Sequence, residues 1–174
     1  MGRRLLERLR GDDGFGLVEL IVAMVILNVG LIAVIAAFIS GSTAIKHASR
    51  VATASTLAET QLELYRGLTY TAIALDPSSI PITPPYTTDT AYSASQVTAT
   101  CASGTYTSYA QCNASRTATG PDHASYRVDT YIVLRTPTNG RDVKRVTVVV
   151  RESANLTGHA LARASTSFDQ STGS

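Results

Sequence analysis

Residues 12–30 read "DDGFGLVELIVAMVILNVG", an aliphatic run that carries one acid, Glu19, near its start. From Leu20 to Ile39 no further charge occurs, and Asn28 and Gly30 are its only polar or helix-weakening positions. About twenty helical residues rise about 30 Å, the thickness of a bilayer's hydrocarbon core. Arg3, Arg4, Arg8 and Arg10 precede the run and no basic residue follows it immediately. That asymmetry favours a cytoplasmic N-terminus, with the rest of the chain outside. A secretory signal peptide is the competing reading, and Ser40-Gly41-Ser42 resembles its cleavage region. Its apolar stretch is usually about 7–15 residues, however. Here the run is longer and continues into more helical sequence.

Glu19 needs a reason. A carboxylate at the bilayer centre costs about 2.5–3.5 kcal/mol on insertion scales. One reading places it at the membrane edge, in reach of water. A second uses the residues just before it. If the chain were cut after Gly14, a new amine would appear at Phe15, about 6 Å of helix rise from Glu19. With a pKa near about 8, that amine stays mostly charged at neutral pH. The carboxylate could then neutralise an amine, best of all one on a neighbouring subunit.

At these residues the chain resembles the type IV prepilins and type II secretion pseudopilins. The basic leader, Gly14-Phe15, Glu19 and the long apolar run match their N-terminal cleavage and methylation motif. The resemblance implies that a prepilin peptidase cuts after Gly14 and N-methylates Phe15, and that Glu19 is the assembly carboxylate. Glycine suits the cut because it has no Cβ and resists helix formation. Many major pilins carry a helix-kinking proline in the apolar helix, but none occurs here between Phe15 and Leu75. Gly30 is the weak point for local melting or a site of close packing, and Asn28 is expected to hydrogen-bond in that packing.

The remaining sequence bounds the function. The 174 residues suffice for one small domain plus an anchor. A net charge of +2 gives no electrostatic case for nucleic acid. Cys101 and Cys112 are too few for a zinc site without nearby histidines, and His47, His123 and His159 are scattered. In the cytosol both cysteines would be free thiols, whereas outside they would form a disulfide. The expected topology puts them outside, so a Cys101–Cys112 bond is expected. No HExxH, GxSxG or phosphate-binding glycine loop occurs. Asp76, Asp89, Asp122, Asp129, Asp142 and Asp169 stand isolated in sequence and are expected to face solvent.

Helical spacing continues past the apolar run. Ala58, Leu62 and Tyr65 recur on one face, as do Leu57, Leu64 and Leu68, while Glu59 and Glu63 form an exposed pair. One helix from Phe15 to about Leu68 is expected, about 80 Å long. "AETQLELYRGLTY" also resembles the helix end of minor pilins and pseudopilins. Pro77, Pro81, Pro84 and Pro85 exclude regular helix next. Residues 86–120, rich in Ser, Thr, Ala and Tyr, are expected to form short edge strands or a variable loop. "YRVDTYIVLR" and "RDVKRVTVVVRE" alternate as strands around Asn139-Gly140, a hairpin signal. The alternation places Val146, Val148 and Val150 on the core face, with Arg145, Thr147 and Arg151 opposite. The tail after Glu152 is expected to add a short strand or fray.

The expected fold is α+β, a pilin-like long helix with an antiparallel sheet head. The expected organisation is a cytoplasmic leader over 1–14, a long helix over 15–70 and a β-rich head over 71–174. Residues 15–39 would span the membrane and later fill a filament core. The resemblance implies a structural, non-enzymatic subunit needing no cofactor or metal. It also implies prepilin peptidase, an inner-membrane assembly platform and other pilin subunits as partners. Such a subunit would sit in the cytoplasmic membrane, then in a surface or periplasmic filament. The helix sequence looks closest to PilV-like minor pilins. A pseudopilin, a major pilin, and an uncleaved membrane-anchored enzyme or sensor are the alternatives.

Overall fold

The computed structural model describes residues 16–101, 109–138 and 140–170. They fall into two compact units, one ending at Lys46 and the other beginning at His47. A single helix, α1 (Leu17–Arg66), contributes to both. In its second half Ala54, Ala58, Gln61, Leu62 and Tyr65 are buried, the i, i+4, i+7 spacing of one helical face. Glu59 and Glu63 are exposed, and Arg66 pairs with Glu63 in the last turn. Helical bonding ends where Gly67 N–H donates to Glu63 O at 3.3 Å.

Four strands follow: β1 (Ser115–Thr119), β2 (Ser125–Arg135), β3 (Val143–Glu152) and β4 (Ala162–Phe168). They form one antiparallel sheet in the order β1-β2-β3-β4. The β2–β3 register pairs Val128 with Val150, Thr130 with Val148 and Ile132 with Val146. The valines and Ile132 share the core with Ala54, Ala58, Leu62 and Tyr65 of the helix, and Thr130 is buried beside them. In the β2–β3 connection Gly140 N–H donates to Pro137 O at 3.0 Å. Asn139, the other half of the expected turn signal, lies outside the described residues.

The segment after Glu152 does supply a strand, β4, after a turn at Asn155–Gly158. The stretch between the helix and β1 is not a plain surface loop. Short 3₁₀ turns occupy Tyr70–Ala72 and Pro77–Ser79. Beyond β1, the segment near Val97 covers the exposed edge of β2. Val97 N–H donates to Ile132 O at 2.8 Å. The Gln96 side-chain oxygen accepts from Ile132 N–H at 2.8 Å, as a strand carbonyl would. Leu75 then continues this edge through a parallel bridge to Thr98.

The sheet face away from the helix is also buried, which corrects the expectation of a solvent-facing position for Asp89 and Asp129, whereas Asp122 and Asp142 are exposed as expected. Tyr86 stacks on Tyr131 with ring centroids 4.4 Å apart. The Tyr86 hydroxyl donates to Thr130 O at 2.7 Å, and the Tyr131 hydroxyl donates to Tyr86 O at 3.1 Å. Asp89 and Asp129 are buried among Arg127, Arg151 and Arg163. Thr147, Val149 and Arg151 are consequently as enclosed as the valines facing the helix. A buried carboxylate is tolerated only with such partners.

Candidate functional site

The site foreseen from sequence is the start of the helix. Gly14 and Phe15 lie outside the described residues. Glu19 occupies the first turn and is exposed. Its own N–H donates to Gly16 O at 2.9 Å, and that of Leu20 donates to the same oxygen at 3.2 Å. An acid here is favoured by the positive end of the helix dipole. Its carboxylate has no ion-pair partner among the described residues.

The segment beyond Glu19 is apolar on every side and covers nothing among the described residues. Leu17 is 75% exposed, Ile32 67% and Phe38 78%. Full burial of one such side chain is worth about 1.5–3 kcal/mol. Leaving this many in water is untenable, so the segment demands lipid or other apolar helices around it. By length and composition it is the candidate membrane span among the described residues. Two of its polar side chains turn inward on their own backbone, which satisfies them without water. Asn28 Nδ2 donates to Met24 O at 2.9 Å, and Thr43 Oγ1 donates to Ser40 O at 2.8 Å. Asn28 thus has a partner before any packing occurs. A Cβ at Gly30 would meet nothing within 4 Å.

Cys101 and Cys112 are joined by a disulfide in the head. Asp76 holds both ends of the loop that it closes. Cys101 N–H donates to Asp76 Oδ2 at 3.2 Å, and Asp76 N–H donates to Cys112 O at 2.9 Å. The Ser78 hydroxyl and N–H also donate to the Asp76 carboxylate, holding it below the usual carboxylate range. Sequence reading did not foresee this clamp. The Asp76-Pro77-Ser78 stretch, an acid before a proline-led turn, was the available signal.

No group of three or more His, Cys, Asp or Glu residues converges as a metal site among the described residues. The polar clusters that do exist tie the head together. In the largest, Arg151 bridges Asp89 and Asp129, and Arg163 Nη2 donates to both Asp89 oxygens at 2.8 and 2.9 Å.

Residues 9–37 match the family model described as the prokaryotic N-terminal methylation motif. The match includes Gly14, Phe15 and Glu19 and most of the apolar run. It supports a type IV prepilin-like protein, pilin or pseudopilin. The long helix followed by a four-stranded antiparallel sheet is consistent with the pilin fold. Proteins with this motif are structural rather than enzymatic, and the motif implies prepilin peptidase processing and pilin subunits as general partners. The uncovered apolar helix fits a membrane-anchored pilin. No curated protein and no solved structure matches the chain.

Proposed function

We propose that this chain is a minor pilin, a structural subunit cut after Gly14, N-methylated on Phe15 and polymerised into a type IV filament. The observation that carries the reading is the helix beginning at Leu17. It carries the methylation-motif match, one acid in its first turn and an apolar surface with nothing over it. Before assembly, lipid covers that surface, with the leader 1–14 in the cytoplasm and the head outside. After assembly, neighbouring helices replace lipid, so burial is kept. Glu19 then pairs with the Phe15 amine of an adjacent subunit and sets axial register. In this scheme residues 15–70 are the helical stem segment, its helix ending at Arg66, residues 71–174 are the head, and the Cys101–Cys112 bond fits a head outside the cell.

The mass of membrane-extracted protein tests the reading. A chain starting at N-methyl-Phe15 is expected, and Gly14→Val should leave the leader attached. An intact leader on the wild-type chain would overturn the proposal in favour of an uncleaved anchored protein. A type II secretion pseudopilin is the second reading; the absence of proline from Phe15 to Leu75 departs from the major-pilin pattern and is common to both readings. The pseudopilin reading predicts a secretion defect on deletion and no subunit in sheared surface filaments.

A further inference from the structure

The uncovered apolar surface runs from Leu17 to Ile45, about 43 Å of helix rise, whereas a bilayer core needs about 30 Å. Its last turns therefore reach the headgroup layer, and there the helix surface changes. Gly41 and Ser42 lie between Phe38 and Ile45 at i, i+3, i+4 and i+7, on one face. With Lys46 they line a shallow, open hollow on the helix surface, about 400 Å³. Phe38 is 78% exposed and Ile45 71%, and a Cβ on Gly41 would meet nothing within 4 Å. Lys46, at the end of this apolar wall, has no acidic partner among the described residues, whereas Arg50 one turn on is paired with Glu152 at 3.0 Å.

We propose that this hollow seats the upper acyl chain of an anionic phospholipid whose phosphate pairs with Lys46. An apolar channel ending in an ammonium is complementary to an amphiphile with a negative head. The direction is also right. Side chains on a helix lean toward its N-terminus, so Lys46 reaches back over the hollow and its stem covers apolar surface while the ammonium stays wet. With the head outside, the lipid's tails point toward the start of the helix and its phosphate toward Lys46. The site would hold the subunit at a fixed depth until filament neighbours displace the lipid. The proposal rests on the membrane-anchored reading given above.

The test places the full chain in nanodiscs of mixed phosphatidylcholine and phosphatidylglycerol and counts retained lipids by native mass spectrometry. The wild type should keep phosphatidylglycerol in preference. Lys46→Gln should reduce that preference about fivefold, the effect of one lysine near an anionic surface. Gly41→Leu should fill the hollow and reduce retention of both lipids. Arg3, Arg4, Arg8 and Arg10 are common to all three forms, so their attraction to anionic lipid cancels. Unchanged preference in Lys46→Gln, or unchanged retention in Gly41→Leu, would overturn the site. The measurement needs neither cleavage nor filaments, so such a failure leaves the filament reading standing. Release of the chain from membranes by salt alone would instead strike the membrane reading on which both depend.

Discussion

Asp89 and Arg151, 62 positions apart in the chain, meet on the buried face of the sheet opposite the helix. Burial pushes the Asp89 carboxyl up, but the Ala91 N–H and the Arg163 and Arg151 guanidiniums outweigh it and hold it below the usual range. An unfolded aspartate titrates near about 3.9. Between the folded and unfolded values the unfolded chain binds more protons, so stability rises with pH across that window. Asp89's contribution is therefore complete above the unfolded value and is lost as pH falls through the folded one. Asp89→Asn leaves Arg151 with Asp129 alone and takes the carboxylate from Arg163, and breaking such a buried cluster should cost about 3 kcal/mol at neutral pH. Urea unfolding of a soluble form lacking residues 1 to 41 checks both points. The wild type should lose stability below about pH 4, and the variant should lose less over the same window. Parallel pH curves would refute the linkage. Asp76 and Asp122, held low by Ser78 and by Tyr126, keep their own share in both forms.

Gly120 tests how closely the β1–β2 turn approaches the helix. A Cβ there would lie 2.6 Å from Thr53 Cγ2 and 2.8 Å from Tyr126 Cε2. Neither the helix nor the Tyr126 ring, buried and bonded to Asp122 at 2.6 Å, can retreat easily. Gly120→Ala should destabilise the head by about 1–3 kcal/mol, the range for overpacking. Adding Thr53→Ser removes the Cγ2 and should recover part of the loss. A double-mutant cycle with no coupling would show that the turn does not press on the helix.

The tyrosines predict the alkaline limit. Burial pushes Tyr65 and Tyr126 up to about 12, and it raises Tyr86 and Tyr131 as well. An unfolded tyrosine titrates near about 10. The unfolded chain thus gives up these protons first. The stability that they contribute is full below that value and is lost as pH rises toward the folded ones. Lys144 works in the opposite sense, because burial lowers its amine. Burial lowers Arg116 in the same sense as Lys144, and Tyr70 is raised with the other four rings, so five tyrosines stand against two bases and dominate. With eight tyrosines and no tryptophan, phenolate absorbance reports cleanly. The exposed rings should titrate before any structural change, and the buried ones only as circular dichroism is lost. A single titration of all rings with native dichroism retained would refute the argument.

Sequence pattern was a good guide wherever one face repeats. The helix read well because its buried positions recur at helical spacing, and the β2–β3 hairpin because its valines alternate. The end of the helix was overshot from Arg66 to about Leu68, within a fraying last turn. β4 was faint, since "ARASTSF" is built of small polar residues and lies at a sheet edge. The covered outer face was missed because its cover comes from a proline-rich stretch without periodicity. Tyr86 and Asp89 acquire their role only when that stretch crosses the sheet. One clue was present: "VTVVVRE" is apolar at Val149 as well as at Val148 and Val150, which fits a strand enclosed on both faces. Asp129 gave none until the register set Arg127 and Arg151 opposite each other. At the candidate site, Glu19 was conspicuous because charge is so costly in hydrocarbon. Lys46 drew no notice, since one lysine after a long apolar run looks ordinary until the hollow beside it is seen.

Glu19 carries the last prediction. Its carboxylate makes no ion pair among the described residues, so folding of the head does not depend on it. Its cost within lipid is about 2.5–3.5 kcal/mol at the centre and less near the edge. Glu19→Ala should therefore insert at least as well as the wild type. The cut after Gly14 precedes the acid, so processing should also continue. What the variant loses is attraction to the Phe15 amine of a neighbour, which is strong only where water is excluded. Processed subunit should accumulate in the membrane and enter filaments poorly. The measurement compares sheared filaments from cells holding equal membrane levels of the two forms, with Glu19→Gln as a control that keeps size but not charge. Both variants should be under-represented. If Glu19→Gln incorporates normally and Glu19→Ala does not, shape or hydrogen bonding rather than charge sets the register. Equal incorporation of all three forms would remove the assembly role from Glu19, or place the subunit at a filament tip with no neighbour above it to pair with.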